Sequence, residues 1–418
     1  MTHELRQGPK AGRHWPSETE TYEDPASGAT VRRLTNYPGT DNRHLYFTED
    51  GWYDDGRRLL VRGRREGTGD LYSVDLETGL ITQLTDLPGD VEDVTCHPES
   101  ATAYFWFEGR ITGLDLDSLD VWTVYETPEE YSDYGGSMPG VTADGETVCF
   151  SLVEDAVPKP TFSGNRAEGD ADGDGEDGED GTEDGDVDRE DWIDEMFEAR
   201  PRSRVMAIPA DGDGEAETLV DVERWLGHVN TSPERPDLLT YCEEGTWERV
   251  DNRIWVLNRE TGETWRVRPT DEDEAVGHEY WLADGEHVGY HGWRGSRDDP
   301  DPFFGVARYD GTDRREGTAP DIYTHFHCNA PDMVVGDGTF RGVPHNLLWS
   351  YDESADEFRG PRKLATHGWT GDDDAHPHSR VGPDDETVAF DSTRAGDTSD
   401  VYLVDVPDFE ELPKHDLS

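Results

Sequence analysis

Along most of the chain apolar and polar positions alternate with a period of two, and Gly, Asp and Pro gather where the alternation breaks. Successive side chains of an extended strand point to opposite faces, so the pattern reads as short strands with one face toward a core. The strands follow a repeating plan. A turn carrying Pro, Asp or Gly leads into a β-branched or aromatic strand, as in DDGRRLLVRG, HPESATAYFWFEG, TADGETVCFSL, SPERPDLLTYCEEG, LADGEHVGYHGW, CNAPDMVVGDG and GPDDETVAFDS. An alternating strand follows each, as in LYSVDLETG, ITGLDLDSLD, VMAIPADGDG, RIWVLNRETG, FFGVARYDG, LLWSYDESAD and VYLVDVPD. Seven pairs over roughly 375 residues give a spacing slightly above the 40–45 residues of a four-stranded propeller blade. The pattern predicts an all-β, single-domain, seven-bladed β-propeller over residues 20–412, with tails at 1–19 and 413–418. A large sandwich or a parallel β-helix is the weaker reading, since a β-helix repeats at about half this spacing. The segment YEDPASGATVRRLT, within residues 20–35, resembles an outer strand and would complete the last blade, closing the ring and hiding its edges.

One stretch departs from the rhythm. Residues 164–191 form a Gly- and Asp-rich insertion in the third blade, and 168–191 alone holds 14 acids and one base. Asp170, Asp172, Asp174 and Gly175 match the start of a calcium-binding loop, but the twelfth position is Gly181 where a bidentate Glu is required. A solvated, disordered segment is the better reading. REDWIDEMFEARP, just after it, predicts one short helix ending before Pro201.

Composition changes the picture of the surface. Of the 418 residues, 96 are Asp or Glu and 37 are Lys or Arg, a formal charge of −59, with a mean hydropathy of −0.87. Only Lys10, Lys159, Lys363 and Lys414 are lysines; the other basic residues are Arg. This balance resembles a salt-in halophile, whose molar cations screen self-repulsion, so most of the acid is read as solvent adaptation. Nucleic acid and anionic membrane are excluded as partners for want of clustered basic residues. With 13 Trp, 16 Tyr and 13 Phe the chain is not a disordered polyanion. The first 20 residues hold no apolar run and no later stretch approaches 18 apolar residues, which predicts a cytoplasmic, soluble protein. Cys96, Cys149, Cys242 and Cys328 are far apart and suggest neither zinc nor disulfides.

Histidine carries the chemistry, because an acidic surface does not account for it. His228, His278, His325 with His327, and His376 with His378 stand at the heads of four successive blades, just before the turn and inner strand. Equivalent positions of neighbouring blades converge on the mouth of the central channel. His376 and His378, two apart in an extended segment, face the same way and are suited to a transition metal, with His278 as a third donor. His97, His287, His291, His345 and His367 lack this phase and read as ordinary surface or core residues.

Several segments resemble the oligogalacturonate lyase family: WLGHVNTSPERPDLLTYCEEGTWERVDNRIWVLN, GHEYWLADGEHVGYHGW, VGDG and HPHSRVGPDDETVAFDS, together with DPASGATVRRLTNYP and DLYSVDLETGLITQLTD near the start. Similarity runs through nearly the whole chain except the acidic insertion. The resemblance implies a seven-bladed propeller that cleaves short galacturonate oligomers, di- or trigalacturonate, by β-elimination with a divalent metal, typically Mn2+. It implies metal ligation by His278, His376 and His378, and His228 as general base. The family's fourth ligand is a Gln three residues before the H-P-H, where this chain has Asp373. A carboxylate there should bind a divalent ion more tightly. The family's substrate-binding Arg falls nearest Arg204, with Arg202 beside it; Arg43 and His44 stand, in reversed order, where the family has a His-Arg pair; His325 is a further candidate for substrate contact. Glu243, Glu244, Trp247 and Arg253 lie in the family-like segment without an assigned role.

The residue types suit that chemistry. The C5 proton of a uronate is alpha to a carboxylate, and a divalent cation at that carboxylate stabilises the charge that develops, an effect of several kcal/mol. Imidazole is a matched base near neutral pH. The alternative is a non-enzymatic, TolB-like propeller that binds partners through its rim, which predicts no stoichiometric metal. A propeller joined to a serine peptidase fails for want of an α/β domain and a G-x-S-x-G.

Overall fold

The computed structural model describes residues 5–131, 138–157, 189–322, 324–338, 344–369 and 376–416. Asp373, and with it the metal-ligand expectation placed there, lies outside the described residues, as does the calcium-loop match in the insertion. The alternating segments form seven antiparallel sheets of four to six strands, each one blade. Blades two to six take their four strands in simple chain order, from Glu92–His97 in blade two to Glu357–Thr366 in blade six. Blade seven is built from both ends of the sequence: Arg380–Val381, Thr387–Ser392 and Asp400–Asp405 are continued outward by Thr30–Arg33 and Glu20–Glu23. Val31 stands opposite Val404, so the ring closes where the segment at 20–35 was expected to close it.

The core is divided among the seams between blades. Leu60, Leu71, Phe105 and Leu114 fill the first seam. Tyr104, Trp106, Phe150 and Ile208 fill the second. The remaining five seams are filled in the same manner, ending with Leu59, Val74, Ala389 and Leu403 between blades seven and one. Period-two alternation produces this directly, since each sheet packs both faces against neighbours. Burying one large apolar side chain contributes about 1.5–3 kcal/mol. Hairpins close with side-chain turns: Asp75 accepts from the backbone of Glu77 and Thr78 at 3.2 and 2.9 Å, and Gly79 takes the left-handed φ of 71° that ends the DLETG turn.

Two departures from the sequence reading matter, both at the chain ends. Residues before Glu20 are not a loose tail: His14–Trp15 pairs with Ile81–Gln83 at the outer edge of blade one, and Gln7 donates to the carbonyl of Leu84 at 2.8 Å. The chain after Leu412 also lies on a blade, through a bridge between Lys414 and Arg362. The short helix is present as α1, Arg189–Ala199. It docks on the loop after the second strand of blade four, where the Thr246 hydroxyl donates to Asp194 at 2.6 Å and Arg249 pairs with Asp194 and Glu198 at 2.9 and 3.0 Å.

Candidate active site

The innermost strands of blades four and five and the segment that leads into that of blade seven share a local device. His228, His278 and His378 have φ of 41°, 51° and 47°, in the left-handed region that β-carbon-bearing residues seldom enter. In blades four and five the strand register shifts at these residues, between Gly227 and Asn230 and between Gly277 and Tyr280. A bulge of this kind turns a side chain away from the regular pleat. His325 of blade six lacks a left-handed φ, and its carbonyl accepts the N–H of Asp337 at 3.1 Å.

The floor comes from blade one. Its inner strand is broken into Asn42–His44 and Trp52–Tyr53, and the intervening loop carries Tyr46 and Phe47 across to the opposite blades. The Tyr46 ring lies 6.2 Å from that of His228, 5.9 Å from His325 and 4.9 Å from His378. Phe47 lies 6.0 Å from His278 and 4.9 Å from His325. Two adjacent aromatic residues thus touch histidines from four blades.

On that floor His325, His376 and His378 bring one nitrogen each within 4.8 Å of one another. Two nitrogens bound to one ion at about 2.1 Å are at most about 4.2 Å apart, so a small side-chain movement puts all three on a cation. His278 stacks on His325, ring centres 4.6 Å apart, and its Nδ1 meets Nε2 of His291 at 2.7 Å. Burial, joined by neighbouring imidazoles, pushes His278 and His378 well below the usual histidine range, so both are neutral, as metal donors must be. His291 is pushed down to about 3 by the same burial. Trp369 packs 4.4 Å from His376. The donor set fits a divalent transition metal.

His228 stands across Tyr46 from this group. Its Nε2 is 3.5 Å from Oε1 of Glu244, which Arg253 grips with two donors at 2.7 and 3.0 Å. Burial raises the Glu244 carboxyl, but Arg253 and then His228 outweigh it and hold it at about 2, so it is ionised. The base candidate is thereby anchored by a carboxylate. Trp247 leans on this network and on His278, 4.9 Å from the latter ring.

The substrate candidates are distributed differently. His44 is buried, its ring nitrogen 3.2 Å from the carbonyl of Pro377 and its backbone N–H donated to Asp391 at 3.0 Å; it props the H-P-H segment rather than facing the cleft. Burial pushes it down to about 4. Arg43 is half-buried in the same strand, and its charge is felt at His378. Arg204 pairs with Asp221 at 3.1 Å and lies over Tyr131; Arg202 grips the same Asp221 with two donors at 2.7 Å. Residues that sequence reading passed over are Tyr46, Phe47, Asp337 and Trp369, and also His291, taken there as ordinary. Glu244 and Arg253, to which the sequence assigns no role, form the ion pair that anchors His228. The GH dipeptide shared by blades four and five was the one local signal.

A family model described as oligogalacturonate lyase matches residues 10–164 and 181–410. Oligogalacturonide lyase of Pectobacterium atrosepticum is 27% identical over 417 residues, 95% of this chain and 98% of that protein. Oligogalacturonate lyase of Dickeya dadantii is 26% identical, covering 93% and 96%. Among solved structures, an oligogalacturonate lyase in complex with manganese superposes with a TM-score of 0.78 at 24% identity, covering 95% of this chain and 98% of that one. The Vibrio parahaemolyticus oligogalacturonate lyase superposes at 0.77 and 22% identity, covering 95% and 99%. The chain belongs to the oligogalacturonate lyase family, enzymes that cleave oligogalacturonides by β-elimination.

Proposed function

We propose that His228 is the general base of this lyase and that His376 and His378, with His278 beside them, hold a manganese ion, the substrate being di- or trigalacturonate. His228 takes the C5 proton of a uronate unit. The C–H electron pair becomes the C4=C5 double bond, the C4–O4 bond breaks, and the departing sugar oxygen is protonated. No nucleophile is required. When bound, the metal supplies positive charge for the uronate carboxylate as its neighbouring carbon loses a proton. Glu244 keeps His228 in place, and the Tyr46–Phe47 floor excludes water beneath the sugar. The carrying observation is that one ring, Tyr46, lies against both His228 and His378, with ring centres 6.2 and 4.9 Å away, so the base and the metal donors stand around a single aromatic floor. Arg43, nearest the donors among the family-implied arginines, is assigned to a substrate carboxylate; Arg204 takes that role only by releasing Asp221. A charge of −59 opposes a polyanion, and molar salt, with a Debye length of about 3 Å, removes that opposition, so a salt-accumulating cytoplasm is the proposed setting. The test is ultraviolet absorbance of the new C4=C5 bond on mixing digalacturonate, Mn2+ and protein in molar KCl. Absence of a rise with di- and trigalacturonate overturns the substrate assignment.

A further inference from the structure

We infer that the seam between blades three and four carries an accessory sugar subsite, a cleft in which Trp255 and Tyr241 receive a uronate unit beyond the pair that reacts; the inference deepens the uronide reading above and rests on it. The platform follows from strand register. Tyr241 in Leu238–Glu243, Trp255 in Ile254–Asn258 and Arg266 in Glu263–Arg266 are cross-strand partners in a row, so their side chains share one face of blade four. The two rings are nearly parallel, 11° apart in plane with centres separated by 6.4 Å, and the Arg266 guanidinium lies 5.1 Å from the centre of the Trp255 ring. Trp255 donates from Nε1 to the carbonyl of Asn252 at 3.0 Å, which fixes the half-buried ring by its edge and leaves its face unspent. Val222 and Arg224, at the end of blade three, and Arg200, directly after α1, enclose with these rings a cleft of about 400 Å³. That size, and an apolar wall with a few polar groups, suit a small ligand. The cleft adjoins the chemistry: Leu226 in its wall is two residues before His228, and Glu243 is next to Glu244, the carboxylate beside His228. A saccharide extending outward from His228 toward blade three enters it.

Charge selects an acidic sugar. Arg202 and Arg204 are paired with Asp221, and Arg224 with Glu243. Arg200 and Arg266 have no carboxylate partner among the described residues; Arg200 donates to the backbone carbonyl of Glu223 at 3.3 Å. Acids outnumber bases 96 to 37 in this chain, yet both guanidiniums are left without one. Arg200, Arg224 and Arg266 outweigh Glu223 and Glu243, so the cleft is locally cationic on a protein of charge −59. A flat aromatic wall flanked by unclaimed guanidiniums matches a pyranose that bears a carboxylate. The C–H face of the sugar packs on the indole, and a guanidinium grips the carboxylate with its fork of donors.

The experiment measures initial rates on di-, tri- and tetragalacturonate with the Mn2+-loaded protein in molar KCl, for the unaltered chain, Trp255→Ala and Arg266→Gln. The unaltered protein should show a lower KM for the longer chains than for digalacturonate. Trp255→Ala should raise the KM for tetragalacturonate about 5–20-fold, through loss of the stacking face. Arg266→Gln should raise it about 2–5-fold, as expected for an exposed ion pair. In both variants kcat, and both constants for digalacturonate, should stay as they are. Equal losses at every chain length, or no loss at any, overturn the subsite and leave the lyase reading standing. No turnover of any uronide by the unaltered protein overturns both. Should Trp255→Ala fail to fold, the exposed Arg266→Gln decides on the same readout.

Discussion

Blade two and blade five bend their inner strands alike. In blade two the register shifts between Tyr104 and Trp106 of the facing strand, and Asp93 adopts a φ of 46°. In blade five the shift flanks His278 at 51°. Each left-handed residue costs about 1–3 kcal/mol, and the fold sustains that cost whether or not the side chain is an imidazole. The bulge is therefore a property of the repeating scaffold, and the chemistry lies in what was placed on it. A second contrast lies one residue earlier. Glu92 precedes Asp93, whereas His278 and His228 follow glycines. A β-carbon on Gly277 would fall 2.6 Å from Trp247 and 2.9 Å from Arg253, and one on Gly227 would fall 2.7 Å from Glu244. Blades four and five surrender a side chain to let the anchoring network approach.

The sharpest way to break this comparison is to remove the imidazoles. His378→Ala should lose both bound manganese and turnover, read by elemental analysis and the ultraviolet assay. His228→Ala should keep its manganese while turnover falls about 10²–10⁴-fold, the usual contribution of a general base; a variant that retains turnover refutes the base assignment. Next in size is acid sensitivity on the histidine-rich side. His44 and His367 are held by burial at about 4 instead of 6.5. The unfolded chain binds these protons first, so the stability is present above pH 6.5 and is lost as pH falls toward 4, about 3 kcal/mol for each. Denaturant unfolding of metal-free protein across that range measures it. Gly277→Ala should cost about 1–3 kcal/mol through the clash with Trp247, read by thermal unfolding, while Glu92→Ala stays within about 0.5 kcal/mol. The smallest effect is expected of Asp93→His, which offers blade two a histidine without the Tyr46–Phe47 floor behind it. It should add no manganese.

The seven blades were legible because a propeller repeats one instruction, and period-two runs such as LYSVDLETG carry that instruction locally. The convergence of histidines followed from repeat phase alone. What stayed hidden was non-local. Asp337 reads as an ordinary G-D-G turn until blade six meets blade seven, and nothing in the pair Glu244 and Arg253 reveals that His228 stands 3.5 Å away. The left-handed φ of three histidines has no residue signature, since the residue there is not Gly. His14–Trp15 was missed because two residues cannot display alternation.

Closure of blade seven has a consequence for biosynthesis. Thr30–Arg33 emerges from the ribosome early, with Val31 destined for full burial, yet its partner Asp400–Asp405 is translated last among the strands. Until then a sticky edge must wait while six sheets accumulate behind it, and the loop bearing Tyr46 has no opposing histidines to rest on. The enzyme should accordingly gain its metal and its activity in one late, post-translational step, and nascent chains stalled before residue 400 should depend on chaperones for solubility.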